Sequence, residues 1–178
     1  MEKKYWKKVS TKYFEDIDLN LDNDSSFING WASFNTIFRD QNVFVGMSEY
    51  NLLKNKPHYC WEVIDKYIEI NEIAKEAIIK KYNEKHNVII KYFKKIFRDN
   101  KFKENIVKIF STNDLKKLDI RAVIEKIDFP DLSLNIEDGI MIISAKYTFY
   151  EITQGKLLYL CVLMNKELEI IDYEMDFE

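Results

Sequence analysis

The residue types that most often carry catalysis are scarce in this 178-residue sequence, and their spacing matches no catalytic motif. The two histidines, His58 and His86, form neither a His-x-Glu nor a His-Glu-x-x-His pattern, and no Cys-x-x-Cys pair occurs, so the common zinc motifs are absent. The four glycines are isolated, which excludes a glycine-rich phosphate loop, and no Gly-x-Ser-x-Gly turn surrounds a serine. We therefore predict no catalytic residue, no metal ligand and no cofactor.

The two cysteines, Cys60 and Cys161, lie far apart, each among bulky apolar neighbours. Such cysteines are typical of buried, reduced thiols in an intracellular protein. No apolar run reaches the roughly 20 residues that span a bilayer, and no apolar stretch follows the lysine-rich start as it would in a secretory signal. The sequence predicts a cytoplasmic protein without a membrane partner.

Carboxylates remain as the residues that could act on a ligand. Near the carboxyl end they alternate with apolar residues, and alternate residues of a strand share one face. The carboxylates of this acidic strand are Asp172, Glu174 and Asp176, and the apolar residues expected to anchor it are Ile171, Tyr173, Met175 and Phe177. Three interpretations stay open: a solvated strand face that blunts a sheet edge, a docking surface for a basic partner, and paired-carboxylate catalysis.

A second acidic stretch near the amino terminus suggests a calcium loop but fails the test of spacing. In the frame Asp18-x-Asn20-x-Asp22, Asn23 stands where the loop needs glycine and Asn29 where it needs the bidentate glutamate. We keep this stretch as the other candidate for docking a basic partner. Its candidate residues are Asp16, Asp18, Asp22 and Asp24.

Charge is distributed unevenly along a chain whose net charge is only −3. Residues 75–108 carry 11 basic and 4 acidic side chains, whereas residues 109–178 carry 7 and 14. One-signed surfaces of this kind steer association with partners of opposite charge. The basic stretch offers an alternative, nucleic-acid binding through the lysine-rich helices 87–110. The residues concerned are Lys91, Lys94, Lys95, Arg98, Lys101 and Lys103.

Two observations make nucleic acid the less favoured partner. Phe93 and Phe97, beside the basic residues, lie on the apolar stripe of the predicted helix and are therefore expected in the core rather than on a stacking platform. Arginine, the residue best suited to base and phosphate recognition, occurs only three times.

The elements that would position these residues follow from hydrophobic periodicity. Trp31–Phe38 and residues 43–47 flank a polar turn and predict a β-hairpin. A helix is predicted to start at Pro57. A second is predicted to place Ile70, Ile73, Ala74, Ala77 and Ile78 on one face while pairing Glu76 with Lys80. Two further amphipathic helices carry the stripes around Ile89 and Ile106, which gives a central group of three to four helices.

The period changes from 3.6 to 2 in the last third of the chain, which predicts four strands. Strand-to-strand order without intervening helices indicates an antiparallel meander, and hairpin, helices and meander together predict one α+β domain over residues 1–178. The apolar fraction of 47% is enough for a proper core. The predicted strands are Ile120–Phe129, Ile140–Tyr150, Leu157–Met164 and Glu167–Phe177.

Several local strings resemble an uncharacterised bacterial family, "domain of unknown function two-thousand-and-four". They are residues 13–19, 74–78, 127–131, 147–149, 157–162 and 169–175. The sequence departs from the family in having Asn165-Lys166 where a glycine is expected in the last hairpin. The resemblance implies a small bacterial cytoplasmic protein and no site residues. The general look is similar to that of bacterial toxin immunity proteins, and this step is an analogy.

Taken together, these observations predict a non-enzymatic binding protein, most concretely an immunity-type protein that neutralises a cognate toxin. A toxin that cuts nucleic acid presents a basic surface to phosphate, which acidic residues would complement. The alternative from another class is an enzyme with a carboxylate or tyrosine cleft that no motif reveals. Oligomeric state is not predicted.

Overall fold

The computed structural model describes residues 11–14, 20–22, 31–48, 57–83, 88–96, 100–111, 119–149 and 158–177. Seven strands lie in this part of the chain: β1 (Asn20–Asp22), β2 (Trp31–Phe38), β3 (Gln41–Ser48), β4 (Asp131–Glu137), β5 (Ile140–Thr148), β6 (Leu158–Met164) and β7 (Ile170–Phe177). Five helices lie between β3 and β4: α1 (Pro57–Ile64), α2 (Tyr67–Tyr82), α3 (Val88–Ile96), α4 (Asn100–Phe110) and α5 (Ile120–Glu125). The predicted α+β class is confirmed.

The long helix α2 shows why the central segment is helical. Apolar residues three and four apart form one stripe, and Ile70, Ala74 and Ile78 on that stripe are buried as predicted. Ile73 and Ala77, predicted on the same face, are half-buried. Helix α1 begins at Pro57 as expected, because proline fixes a helical φ where no amide donor is needed. The predicted pair of Glu76 with Lys80 is wrong: the Glu76 carboxylate binds the Arg121 guanidinium bidentately, at 2.9 and 3.2 Å.

The predicted strand over Ile120–Phe129 is wrong. Residues 120–125 form α5, whose apolar residues Ile120, Val123 and Ile124 have helical spacing and are buried. The Asp119 carboxylate caps this helix by accepting the Ala122 amide at 2.7 Å, and such a cap fixes a helix start. The first strand of the meander, β4, begins after this helix and spans Asp131–Glu137.

The strands form one sheet in sequence order, β1-β2-β3-β4-β5-β6-β7. The predicted amino-terminal hairpin is β2–β3, and β4 to β7 form a four-stranded antiparallel meander. The two units join through parallel pairing of β3 with β4, where Val45 lies opposite Leu132. The predictions placed hairpin and meander separately, and their union into a single sheet is a finding of the structure.

The β4–β5 turn sets the register across the meander. Asp138 and Gly139 both have positive φ, 50° and 80°, the conformation that twists a two-residue hairpin correctly. This turn places Asp131 directly opposite Lys146. The β6–β7 connection is longer than the two residues predicted, because it spans residues 165–169 and closes with the Asn165 amide donating to the Glu169 carbonyl at 3.0 Å.

The face of the sheet that carries Phe34, Val45, Leu134, Ile143 and Val162 is the inner face. These side chains are at most 1% exposed and belong to the hydrophobic core, to which buried residues of all five helices also belong. Burial of this kind is the main stabilising contribution to a fold.

Two tyrosine hydroxyls tie α2 to the inner side of the sheet. The Tyr147 hydroxyl donates toward the backbone and side-chain oxygens of Asn71, at 3.2 and 3.1 Å, and the Tyr67 hydroxyl donates to the Pro130 carbonyl at 2.7 Å. Buried hydroxyls need such partners.

The opposite, outer face has a different character. Its alternate residues are mostly half-buried or exposed, as in Asn35 on β2, Asn42 on β3 and Thr148 on β5. On the outer side of β6, Tyr159 and Leu163 are half-buried and Cys161 between them is buried.

Candidate functional site

The acidic strand lies at the edge of the sheet. Asp172, Glu174 and Asp176 are exposed on the outer face of β7, and β7 pairs only with β6 among the described strands. Neither Asp172 nor Glu174 has a cationic side chain of the described residues within ion-pair distance. The three carboxylates thus share one exposed face of β7.

The apolar residues of β7 were expected on the inner face. Tyr173 and Met175 pack against the core, whereas Ile171 is 51% exposed. The register shifts between Leu163 and Met164, so one β7 residue is left out of the pairing. A bulge of this kind turns a side chain out of alternation, and the prediction for Ile171 is therefore wrong. The side chain of Phe177 lies outside the described residues.

Three features disfavour addition of another strand at the β7 edge. The Asp172 carboxylate accepts the Tyr173 amide at 2.7 Å, which satisfies a backbone donor locally. The bulge and the row of carboxylates are the other devices by which natural sheets protect their edges. The exposed carboxylates of β7 point to the outer face rather than along this edge.

The strand register extends the acidic surface from β7, at the edge, toward β4 in the middle of the sheet. Glu174 lies opposite Cys161, Cys161 opposite Lys146, and Lys146 opposite Asp131, so one row crosses four strands. The outer face of β4 to β7 contains a single lysine, Lys146, among its described residues. Its carboxylates are Asp131, Glu137, Asp172, Glu174 and Asp176.

The lysine in this acidic surface does not form an ion pair with its neighbours in register. Its Nζ lies 4.2 Å from the centroid of the Tyr159 ring. No carboxylate of the described chain lies within 4.0 Å of that nitrogen. A cation over a tyrosine ring is attracted by the negative face of the π-system. Lys146 therefore places a positive charge over the Tyr159 ring, on a surface whose other described charges are carboxylates.

Burial makes Cys161 unsuited to nucleophilic chemistry. Its side chain is 3% exposed and its Sγ lies 2.8 Å from the Ser144 Oγ. Burial raises the pKa of Cys161, although the Ser144 hydrogen bond and the Lys146 charge oppose the rise. The thiol stays protonated at neutral pH, and a thiol rather than a thiolate is a poor nucleophile.

The second cysteine is also inert. Cys60 is fully buried on α1, and burial raises its pKa to about 12. Both cysteines are free and buried in the structure, and the predicted burial is confirmed.

The acidic stretch near the amino terminus is only partly described. Asp22 is the last residue of β1, which pairs with β2 through Trp31. Asp16, Asp18 and Asp24 lie outside the described residues, as does His86. No group of three metal-ligating side chains occurs in the described ranges.

The basic stretch falls on α3 and α4. Lys91, Lys95 and Lys103 are exposed there, and the side chains of Lys94, Arg98 and Lys101 lie outside the described residues. Those of Phe93 and Phe97 do too, so their predicted core position stays a prediction. Within the described ranges, the helices are too short or too polar to cross a membrane.

Sequence reasoning found the carboxylates but missed Lys146 and Tyr159. The two are diagonal neighbours on adjacent strands, since Lys146 lies opposite Cys161 and Thr148 opposite Tyr159. Diagonal pairs of long side chains interact across a sheet, but they become visible only when register is known.

Comparison of the chain with protein-family models, with curated proteins and with solved structures gave no match. The resemblance to the uncharacterised bacterial family and to immunity proteins stays a prediction.

Proposed function

We propose that this protein is a non-enzymatic binding protein that holds a basic protein partner on the outer face of its sheet. The observation that supports the proposal is the exposed carboxylate row of β7, in which Asp172 and Glu174 have no cationic nitrogen of the described residues within 4.0 Å. Carboxylates presented together complement a basic surface and speed its diffusional encounter.

The proposed role is that of an immunity protein. A nuclease toxin needs a basic surface for its phosphate substrate, and an inhibitor that covers that surface with carboxylates prevents substrate binding. The protein would act in the bacterial cytoplasm, a compartment in which buried thiols such as Cys60 and Cys161 stay reduced.

The test compares two triple variants with the same change in charge. The first, Asp172→Asn/Glu174→Gln/Asp176→Asn, neutralises the acidic strand. The matched control, Glu62→Gln/Glu69→Gln/Glu72→Gln, neutralises exposed carboxylates on α1 and α2, in the helical layer. Wild type and both variants serve as bait for capture from the native host, followed by association kinetics with the captured protein at low and high salt.

We expect the acidic-strand variant to associate more slowly and with a weaker salt dependence, while the helical control behaves like wild type. Equal rates and equal salt slopes for the two variants would contradict docking on β7. The acidic stretch from Asp16 to Asp24 would then be the surface to test next.

A further inference from the structure

The outer face contains an arrangement that can recognise a single cationic side chain. Tyr159 lies directly opposite Asp176 on β7, and Glu174 is its diagonal neighbour there. An aromatic face with carboxylates beside it attracts arginine and lysine twice, through the π-system and through charge. The contact of Lys146 at 4.2 Å shows that the ring face is open to a cation.

We propose that the Tyr159 ring, with Asp176 and Glu174 beside it, is a binding site for an arginine or lysine side chain of the partner, and that Lys146 occupies this site in the free protein. The inference rests on the proposed function in taking a basic protein as the partner. Partial desolvation raises the pKa of Tyr159, and the negative charges of Asp176 and Glu174 raise it further.

Lys146 is then an internal competitor. A partner cation must displace its Nζ from the ring, where no carboxylate of the described structure lies within 4.0 Å of that nitrogen. Removal of Lys146 therefore strengthens binding in two ways, by freeing the ring and by removing the positive charge of the single lysine among the described residues on the outer face of β4 to β7. Substitution of Tyr159 distinguishes these two contributions, because only the freeing of the ring requires an aromatic side chain.

The experiment measures binding of a rhodamine-labelled oligoarginine peptide by fluorescence anisotropy at low salt. Lys146→Ala is compared with Lys80→Ala, which removes the same charge from an exposed position of α2. We expect Lys146→Ala to bind the peptide about two- to fivefold more tightly than Lys80→Ala, the range of an exposed cation–π contact. Tyr159→Phe keeps the ring and is expected to bind like wild type.

The decisive variant is Tyr159→Leu in the Lys146→Ala background, which should lose the extra affinity while Tyr159→Phe in that background keeps it. Aromatic NMR spectra of Lys146→Ala provide a second readout that needs no change at Tyr159, because bound peptide should shift the Tyr159 ring signals. The proposal is overturned by equal affinities of Lys146→Ala and Lys80→Ala, by unshifted ring signals, or by absence of peptide binding to Lys146→Ala.

These outcomes are distinguishable from failure of the proposed function. A Tyr159-dependent peptide affinity, together with unchanged partner kinetics in the acidic-strand variant, would keep the cation site and reject the partner's docking on β7. Slower partner association in that variant with no dependence of peptide binding on Tyr159 would reject the cation site alone.

Discussion

Strand β5 shows the contrast between the two faces of the sheet within a few residues. Its inner side chains, Ile143, Ala145 and Tyr147, are fully buried, while Ser144 and Lys146 between them are half-buried on the outer face. The backbone is the same for both sets, so the difference comes from what covers them. On the inner face, close packing restricts which side chains fit. On the outer face, the residue types are restricted mainly by solvation and by binding.

The largest predicted effect on stability comes from making the same isoleucine-to-alanine substitution on each face of the sheet. Ile143→Ala removes a fully buried side chain from the inner face and should lower the free energy of unfolding by about 2–5 kcal/mol, through lost burial and an unfilled cavity. Ile140→Ala, on the same strand but 59% exposed, should lower it by less than about 0.5 kcal/mol. Denaturant unfolding measures both, and equal losses would mean that the outer face is covered as well.

A smaller effect probes the polar link beneath the inner face. Tyr147→Phe removes the hydroxyl that donates toward the Asn71 oxygens and leaves them buried without that donor. We expect the free energy of unfolding to fall by about 1–3 kcal/mol with the fold retained. Thermal unfolding followed by circular dichroism checks this, and an unchanged melting temperature would show that the hydrogen bond adds nothing to packing.

The smallest effect lies on the outer face and depends on pH. Burial raises the pKa of Asp131, although its hydrogen bond from the Phe44 amide at 2.8 Å and the charge of Lys146 oppose the rise. The folded state therefore binds the proton more tightly than the unfolded state, and this contribution to stability is lost as pH rises from the ordinary aspartate range through the raised pKa.

Asp131→Asn keeps an oxygen for the Phe44 amide and removes the titrating charge. We expect its stability relative to wild type to increase as pH rises from below about 3.9 to neutrality. Urea unfolding across that range measures the difference. A relative stability that falls with rising pH would mean that the ionised carboxylate is favoured in the fold.

Much of the fold could be predicted where local pattern determines structure. Alternation over Ile140–Tyr150 predicted the strand that the structure has as β5, and Pro57 predicted the start of α1. The segment after Asp119 was misassigned because a short apolar run fits a strand as well as a helix, and the capping carboxylate decides between them. Parallel pairing of β3 with β4 has no local signal at all.

The candidate site also has one part that could be predicted from the sequence and one part that could not. The carboxylates of β7 could be predicted to share a face because their spacing along one strand is enough. The exposure of Ile171 at the bulge could not be predicted, because it depends on the register of β7 against β6. The contact of Lys146 with Tyr159 could not be predicted either, because it depends on the register of β5 against β6. Binding surfaces composed across strands are visible only in three dimensions.

The parallel junction of β3 and β4 has a consequence for the time course of folding. Hairpin and meander each pair strands that are neighbours in sequence, but the contact of Phe44 with Asp131 joins residues 87 apart. Closing so long a loop is slow, so we expect the two halves of the sheet to form first and to meet late. Until they meet, β3 and β4 are both open edges, and at high protein concentration the hairpin of one chain can complete the meander of another. Refolding yield should therefore fall with concentration, through exchange of segments between chains.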